Sequence, residues 1–174
     1  MMKKMIDDSG FNSMVKGRYG YVIFNKNDTY VGKSFEHYGE FSEGEANLFS
    51  QICNKGDIVI DAGANIGAHT LHFSKRVGNT GRVYAFEPQR VVFQTLCANM
   101  AVNSIQNTEC YQMGLSSESR TVHIPDIRYD LEANHGGFQI GNFEKGVKIP
   151  IEPVDDLLDL PRLKLIKIDV EGME

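Results

Sequence analysis

The chain has 174 residues, of which 41% are apolar, and a formal net charge of −5 at pH 7. Its length suits a single domain with a sizeable core. Its acidic balance argues against nucleic acid as the main partner, because phosphate binding needs a clustered basic face. No run has the length of a transmembrane helix, and the N-terminus lacks the apolar core of a signal peptide.

The three cysteines, Cys53, Cys97 and Cys110, have no C-x-x-C spacing. An odd number of thiols without the spacing of metal ligands is typical of a reducing compartment. We therefore expect a cytoplasmic protein in which all three cysteines are buried packing residues.

Residues 1–41 are predicted to form an N-terminal segment that contains a β-hairpin. Two apolar runs, Tyr19–Phe24 and Tyr30–Phe35, flank a turn-rich pentamer at 25–29. Two strand-like runs around such a pentamer are typical of a hairpin.

The main domain is predicted to span residues 42–174 and to open with a helix. Ser42 is placed to cap this helix, since Glu45 follows three positions later. Its core-facing side would comprise four apolar residues: Ala46, Leu48, Phe49 and Ile52.

The stretch Asp57–Gly67 combines a short apolar run, a carboxylate and a turn with two glycines. Ile58, Val59 and Ile60 are consecutive and β-branched, which indicates a strand buried on both faces. The glycines allow a tight turn and a close approach of the backbone to a ligand. A helical pattern then runs from Ile66 to Val77. Strand, glycine turn and helix N-terminus together predict a nucleotide-binding corner.

A second strand, Arg82–Phe86, ends in Glu87 and Pro88. A carboxylate at the tip of the second strand is where a ribose diol would be held. Pro88 can open a helix, because its missing N–H would be unpaired there. The helix at 89–102 would be amphipathic, with apolar residues four apart at three positions: Val92, Leu96 and Met100.

The rest of the chain is predicted to add two parallel strands, two short strands and one long loop. Thr108–Met113 is the third parallel strand, and Leu163–Asp169 is the fourth. Thr121–Ile124 and Val147–Ile151 are short strands on either side of a loop at 125–141. Long loops in compact domains are functional or disordered in most cases.

Five blocks, in order along the chain, resemble the FkbM-type methyltransferases, which use S-adenosylmethionine on the class I Rossmann-like fold. The blocks are Asp61–Gly67, Gly81–Pro88, Gly114–Ser116, Asn134–Gly137 and Lys167–Glu174. The resemblance implies an α/β fold of three layers, α/β/α, around a seven-stranded sheet of order 3-2-1-4-5-7-6. Because the chain ends inside the last block, we expect an incomplete domain without its C-terminal strands. The fourth strand would then be an open edge, available for self-association.

The same resemblance places the edge at 38–41 beside the cofactor site, and it implies a role for each residue at the cofactor. Asp61 would orient the amino group through water, and Asn65 would bind the carboxylate. Glu87 would accept hydrogen bonds from both ribose hydroxyls. The full predicted set is Asp61, Gly63, Ala64, Asn65, Glu87, Gly114, Leu115 and Ser116, with the last three lining the adenine.

Catalytic candidates follow the fourth strand and lie in the long loop. Asp169 and Glu171 carry carboxylates that can accept the proton of a hydroxyl nucleophile. Such carboxylates also suit a divalent metal, although we assign no metal ligand. His135 is a second candidate base. His69 and His72 are three residues apart on a helix without a third ligand nearby, so we predict that they are surface residues.

The sequence therefore predicts an S-adenosylmethionine-dependent O-methyltransferase acting on a sugar or another small hydroxylated metabolite, with no nucleic acid or membrane as partner. One alternative is a non-catalytic S-adenosylmethionine-binding module. A less favoured alternative is an NAD-dependent oxidoreductase, because the turn lacks the G-x-G-x-x-G pattern that lets a pyrophosphate approach closely.

Overall fold

The computed structural model describes residues 9–137 and 143–170. Within these residues the strands are β1 (Asn12–Gly17), β2 (Gly20–Asn25), β3 (Ile58–Ala62), β4 (Arg82–Phe86), β5 (Thr108–Tyr111), β6 (Gly114–Leu115), β7 (Arg120–Ile124), β8 (Val147–Glu152) and β9 (Leu165–Ile168). The helices are α1 (Val31–Tyr38), α2 (Glu43–Ile52), α3 (Ala68–Val77), α4 (Arg90–Val102) and α5 (Val154–Leu157). Glu171 lies outside the described residues.

The central sheet contains four parallel strands in the order β5-β4-β3-β9. Val59 and Ile60 are both 0% exposed, so β3 is buried on its two faces as its β-branched run predicts. Right-handed crossovers place α3 and α4 on the same face of this sheet. The fold class is α/β with a parallel sheet, as predicted.

The strands are in register at their carboxyl ends. Ala62 pairs with Phe86 on one side and with Ile168 on the other, and Phe86 pairs with Tyr111. The residues that follow these strands therefore meet at one edge of the sheet, where ligands bind in open α/β folds.

The N-terminal prediction was right about a hairpin and wrong about its position. The hairpin pairs β1 with β2, and the predicted second strand is instead α1. The carboxylate of Asp28 accepts the N–H groups of Tyr30 at 2.8 Å and Gly32 at 3.2 Å, which stabilises the first turn of that helix. Val31 and Phe35 are both buried, and their spacing of four is the helical period.

The hairpin is held against α4 by two asparagine side chains. The Asn99 amide accepts the N–H of Ile23 at 2.7 Å and donates to its carbonyl at 2.9 Å. Asn103 makes the same pair of hydrogen bonds with Tyr21, at 2.9 and 2.7 Å. Asn99 also donates to the carbonyl of Ile66 at 2.8 Å. Helix α4 thereby connects the N-terminal hairpin to the glycine turn after β3.

Helix α2 differs from its prediction in two details. Ser42 precedes it with a left-handed backbone, φ 50°, and its hydroxyl binds the Glu45 carboxylate rather than a backbone N–H. Ala46 and Phe49 are buried as predicted, but Leu48 is 52% exposed. Leu48 is two residues from Ala46, and a step of two residues turns a side chain to the opposite face of a helix.

Both histidines that were predicted at the surface are buried, so that prediction was wrong. His69 is 7% exposed and His72 is 5% exposed. The His69 ring packs edge-on against Phe49 at 5.2 Å, and the His72 ring packs against Tyr19 at 4.7 Å. The face of α3 that carries them is covered by α2 and by the N-terminal segment.

The three cysteines are free thiols, and only Cys53 is fully buried. Cys97 and Cys110 are half-buried, so the expectation of three buried thiols holds for one of them. Among residues 9–137 and 143–170, no helix has the length and apolar character needed to cross a membrane.

Strand β9 pairs with β3 alone within the described part of the chain. One face of β9 carries exposed apolar residues, with Ile166 38% and Ile168 55% exposed. Self-association through this edge and the domain boundary at residue 42 stay predictions.

Candidate functional site

An open cleft lies at the carboxyl ends of β3, β4 and β9. The residues that border it come from the turn after β3, the ends of β4 and β9, the segment after β5, the loop at 134–136 and the N-terminal region.

The turn after β3 brings two strand tips into contact. Gly63 has φ 73°, and the N–H groups of Gly63 and Ala64 both donate to the carbonyl of Phe86, at 3.0 and 2.9 Å. A Cβ on Gly63 would lie 1.8 Å from the carbonyl oxygen of Asp169. Glycine is therefore required here by backbone conformation and by space. Gly63 and Ala64 border the cleft, but their amide hydrogens are already used, and their contact with a cofactor stays a prediction.

Glu87 lies directly after β4, is 5% exposed and borders the cleft. Its Oε2 accepts the N–H of Asn65 at 2.9 Å, and its Oε1 accepts the N–H of Gln89 at 2.8 Å. Each carboxylate oxygen has two lone pairs, so each keeps one for a ligand hydroxyl.

Burial raises the pKa of Glu87 from 4.5 to about 7, and the two backbone N–H groups only partly oppose this effect. A carboxylate with this pKa is poised between its neutral and charged forms at neutral pH. Such perturbed groups in clefts are typical of functional sites.

Asn65 has a left-handed backbone with φ 51° and borders the cleft. Its Oδ1 accepts the N–H of Ile66 at 2.7 Å, which leaves its Nδ2 to donate to a ligand carboxylate. A Cβ on Gly136 would lie 2.1 Å from that Nδ2, so the loop at 134–136 approaches the turn closely.

Asp61 is fully buried beneath the turn and does not border the cleft. It accepts a hydrogen bond from the Thr70 hydroxyl at 2.6 Å and forms an ion pair with Lys167 at 3.2 Å. Asp61 therefore has structural partners of its own, and its predicted role at an amino group stays a prediction.

Lys167 borders the cleft, although it was not among the predicted site residues. Its Nζ donates to the carbonyl of Gly63 at 2.7 Å and lies 3.8 Å from the Asp169 carboxylate. The strand pattern could have indicated Lys167, because alternate residues of a strand share a face and Lys167 is two residues from Asp169.

The segment after β5 supplies two of the three predicted adenine residues. Gly114 and Leu115 border the cleft, together with Met113 and Pro88. Ser116 lies farther along, where its N–H donates to the carbonyl of Glu152 at 3.0 Å. The apolar surface that remains suits a planar base.

The predicted catalytic residues are separated by the fold. Asp169 borders the cleft, with 66% of its side chain exposed. The His135 side chain is 2% exposed and borders a smaller cavity behind Asn65. Its Nδ1 lies 3.2 Å from Nδ2 of Asn25. His135 as a base therefore stays a prediction, and its neighbours Asn134 and Gly136 border the cleft instead.

An aromatic wall from the N-terminal region and α3 closes one side of the cleft. Its members are Tyr30, Phe41 and His69. The ring of Phe41 lies 6.1 Å from that of Tyr30 and 5.8 Å from that of His69. Phe41 belongs to the edge at 38–41 that was expected beside the ligand site. No group of three metal-ligating side chains is present among residues 9–137 and 143–170.

Residues 61–174 match the Methyltransferase FkbM domain. The chain belongs to this family. The FkbM domain match begins at Asp61 and includes the glycine turn, Glu87, the segment at 113–115 and Asp169, which together form most of the cleft.

Two curated relatives each match 67% of the chain. Methyltransferase 1 of Beauveria bassiana (strain ARSEF 2860) is 26% identical over 67% of this chain and 55% of that protein. Methyltransferase sdnD of Sordaria araneosa is 29% identical over 67% of this chain and 57% of that protein. The chain spans about half the length of these curated relatives.

Likenesses to solved structures are partial. Trm5b from Pyrococcus abyssi has a TM-score of 0.47 and 11% identity, over 66% of this chain and 33% of that one. A SAM-dependent methyltransferase from Aquifex aeolicus has a TM-score of 0.38 and 23% identity, over 54% of this chain and 46% of that one. We therefore assign the α/β fold from the order of the four parallel strands in this chain.

Proposed function

We propose that the cleft binds S-adenosylmethionine and that the chain is the cofactor-binding part of a methyltransferase acting on a hydroxyl oxygen of a sugar or another small metabolite. The observation that carries this proposal is the buried Glu87 carboxylate, which borders the cleft at the tip of β4 beside the glycine turn. A carboxylate at this place in a doubly wound sheet is suited to a ribose diol.

The residues present fit each part of the cofactor. Glu87 keeps one lone pair on each oxygen for the two ribose hydroxyls. Leu115, Met113 and Pro88 form an apolar slot for adenine. Asn65 keeps its Nδ2 for the carboxylate of the methionine half.

S-adenosylmethionine, when bound, supplies a methyl group that its sulfonium already activates. The chain therefore has to hold the donor, orient an acceptor and keep water away from the reacting atoms. Asp169 and Lys167 border the same cleft as Gly63, so they are placed to orient an acceptor that carries several hydroxyl groups.

Calorimetry with S-adenosylhomocysteine and NAD tests the cofactor. We expect binding of S-adenosylhomocysteine alone, because the glycine turn has no free amide hydrogens for a pyrophosphate at Gly63 and Ala64. At about 100 times its dissociation constant, S-adenosylhomocysteine should raise the free energy of unfolding by about 2.7 kcal/mol. A cooperative melt with no shift under saturating ligand would contradict the cofactor assignment.

Methyl transfer to a panel of sugars and sugar acids, followed with methyl-labelled S-adenosylmethionine, tests the acceptor class. We expect an O-methylated product from at least one hydroxylated acceptor. Labelled product on nitrogen acceptors alone would contradict O-methylation. Cofactor binding without any labelled product would favour the non-catalytic binding module.

A further inference from the structure

The structure places a histidine–carboxylate pair in the wall of the cleft. His69 lies in the first turn of α3 and is 7% exposed, and its Nε2 is 3.1 Å from Oε2 of Glu45 on α2. The His69 ring is held between aromatic neighbours, with Phe49 at 5.2 Å and Phe41 at 5.8 Å. Its orientation is therefore fixed by packing as well as by the carboxylate.

The charge of Glu45 determines which nitrogen of His69 carries the proton. A hydrogen bond from the Ser42 hydroxyl, together with the neighbouring His69, keeps the pKa of Glu45 below its usual value. Glu45 is then ionised at neutral pH and can only accept hydrogen bonds. The neutral His69 ring must carry its hydrogen on Nε2, which leaves the lone pair on Nδ1. Among the described residues, no protein group donates to that Nδ1.

The other histidines of the described chain lack this combination. His72 is buried one turn farther along α3, but its Nε2 lies 3.3 Å from the Ser50 hydroxyl and it does not border the cleft. His135 borders the smaller cavity, and its Nδ1 faces the Asn25 amide. Within residues 9–137 and 143–170, only His69 both borders the cleft and has a carboxylate within hydrogen-bond distance of a ring nitrogen.

We propose that His69 is the general base of methyl transfer and that Glu45 orients it, an inference that rests on the proposed function. The acceptor hydroxyl gives its proton to Nδ1 of His69 as its oxygen bonds to the methyl carbon. The sulfur–methyl bond breaks, and its electron pair stays on sulfur. The imidazolium that forms is stabilised by the Glu45 carboxylate at Nε2.

An electrophilic cofactor analogue tests this placement without a known acceptor. In an adenosine whose 5′ nitrogen carries a 2-chloroethyl group, loss of chloride forms an aziridinium whose ring carbon occupies the position of the methyl group. With no acceptor in the cleft, Nδ1 of His69 faces that carbon across the space that the acceptor oxygen would fill. Nδ1 attacks the carbon, and the opening carbon–nitrogen bond leaves its electron pair on the ring nitrogen. Peptide mass spectrometry then locates the adduct.

We expect a single adduct on His69, formed more slowly when S-adenosylhomocysteine competes. His69→Gln should abolish the adduct. Glu45→Gln should slow its formation about tenfold, because the imidazolium loses a charge-assisted hydrogen bond. The Glu45 side chain is 56% exposed, so this second variant folds even if His69→Gln does not. His72→Gln is the matched control on the same helix and should label at the parental rate.

Three outcomes would overturn the proposal. They are an adduct on Asp169 or His135 in place of His69, no adduct on a chain that binds S-adenosylhomocysteine, and a parental labelling rate in Glu45→Gln. Failure to bind S-adenosylhomocysteine at all would instead refute the proposed function, and the inference with it.

Discussion

The backbone N–H of Asn65 donates a hydrogen bond of 2.9 Å to Oε2 of Glu87, across the gap between the turn after β3 and the tip of β4. One carboxylate therefore holds the left-handed turn in place and also faces the cleft. Because Glu87 is almost fully buried, it fulfils both tasks in surroundings of low dielectric constant, where its charge is costly and its hydrogen bonds are strong.

Replacing Glu87 with Ala should weaken binding of 5′-methylthioadenosine about 10- to 100-fold. Hydrogen bonds to a charged group are worth about 1.5–3 kcal/mol each, and 1.4 kcal/mol is a factor of ten. Calorimetry on parent and variant measures the loss. The 2′,3′-dideoxy analogue serves as the control ligand, because it has no diol to lose. An equal loss for both ligands would show that Glu87 acts only through the turn.

The free energy of unfolding should depend on pH through the ionisation of Glu87. Its pKa is raised from 4.5 to about 7, so the folded state binds the proton more tightly than the unfolded chain. This contribution is fully present below about pH 4.5 and is lost as the pH rises through about 7. As the pH rises from 5 to 8, the free energy of unfolding of the parent should fall by about 2–3 kcal/mol more than that of Glu87→Gln.

Urea unfolding of the two proteins at several pH values measures that difference. The comparison with Glu87→Gln is needed because burial lowers the pKa of His72 to about 4. The effect of His72 on the pH dependence of stability is therefore opposite to that of Glu87. His72 removes stability as the pH falls from 6.5 towards 4. Parallel curves for parent and Glu87→Gln between pH 5 and 8 would contradict a buried, desolvated Glu87.

Lys167→Met should destabilise the fold by about 3–5 kcal/mol, because it leaves a buried carboxylate without its cation. Asp61 is 0% exposed, and Lys167 is its ion-pair partner. Adding Asp61→Asn should recover part of the loss, so the double variant should be more stable than the sum of the single effects predicts. Lys164→Met, an exposed residue of the same segment, is the control and should change stability by less than about 0.5 kcal/mol.

Additivity in that double-mutant cycle would show that the two side chains do not interact in solution. Chemical denaturation of the four proteins is sufficient to measure it.

Gly63→Ala should destabilise the fold by about 2–5 kcal/mol, through a strained left-handed backbone and an overpacked contact. The new methyl group would lie 1.8 Å from the Asp169 carbonyl oxygen, so the tips of β3 and β9 would have to separate. Gly44→Ala in α2 is the matched control, because a Cβ there meets nothing within 4 Å. We expect that control to stabilise the protein by about 0.4–1 kcal/mol. Equal thermal denaturation midpoints for the two variants would contradict the close contact of the strand tips.

Local patterns in the sequence determined the parallel strands and the place of the cleft. Val59 and Ile60 in the β-branched run of β3 are buried as predicted, and the apolar stripe of Val92, Leu96 and Met100 is buried on α4. Glu87 follows β4 directly, so its position at the cleft could be predicted from the strand alone. These features depend on residues that are neighbours in the chain, where the periods of strand and helix apply.

Only the tertiary structure decided which polar side chains border the cleft. His69 has the sequence surroundings of a surface residue, and it is buried because Glu45 of α2 and Phe41 of the N-terminal segment, each more than 20 positions away, pack against it. His135 is turned into another cavity by the loop that carries it. Lys167 meets Asp61 because β9 pairs beside β3 in the sheet, although about 100 residues separate them along the chain. Burial and ion pairing are set by contacts between distant segments, and the order of residues in one segment does not contain them.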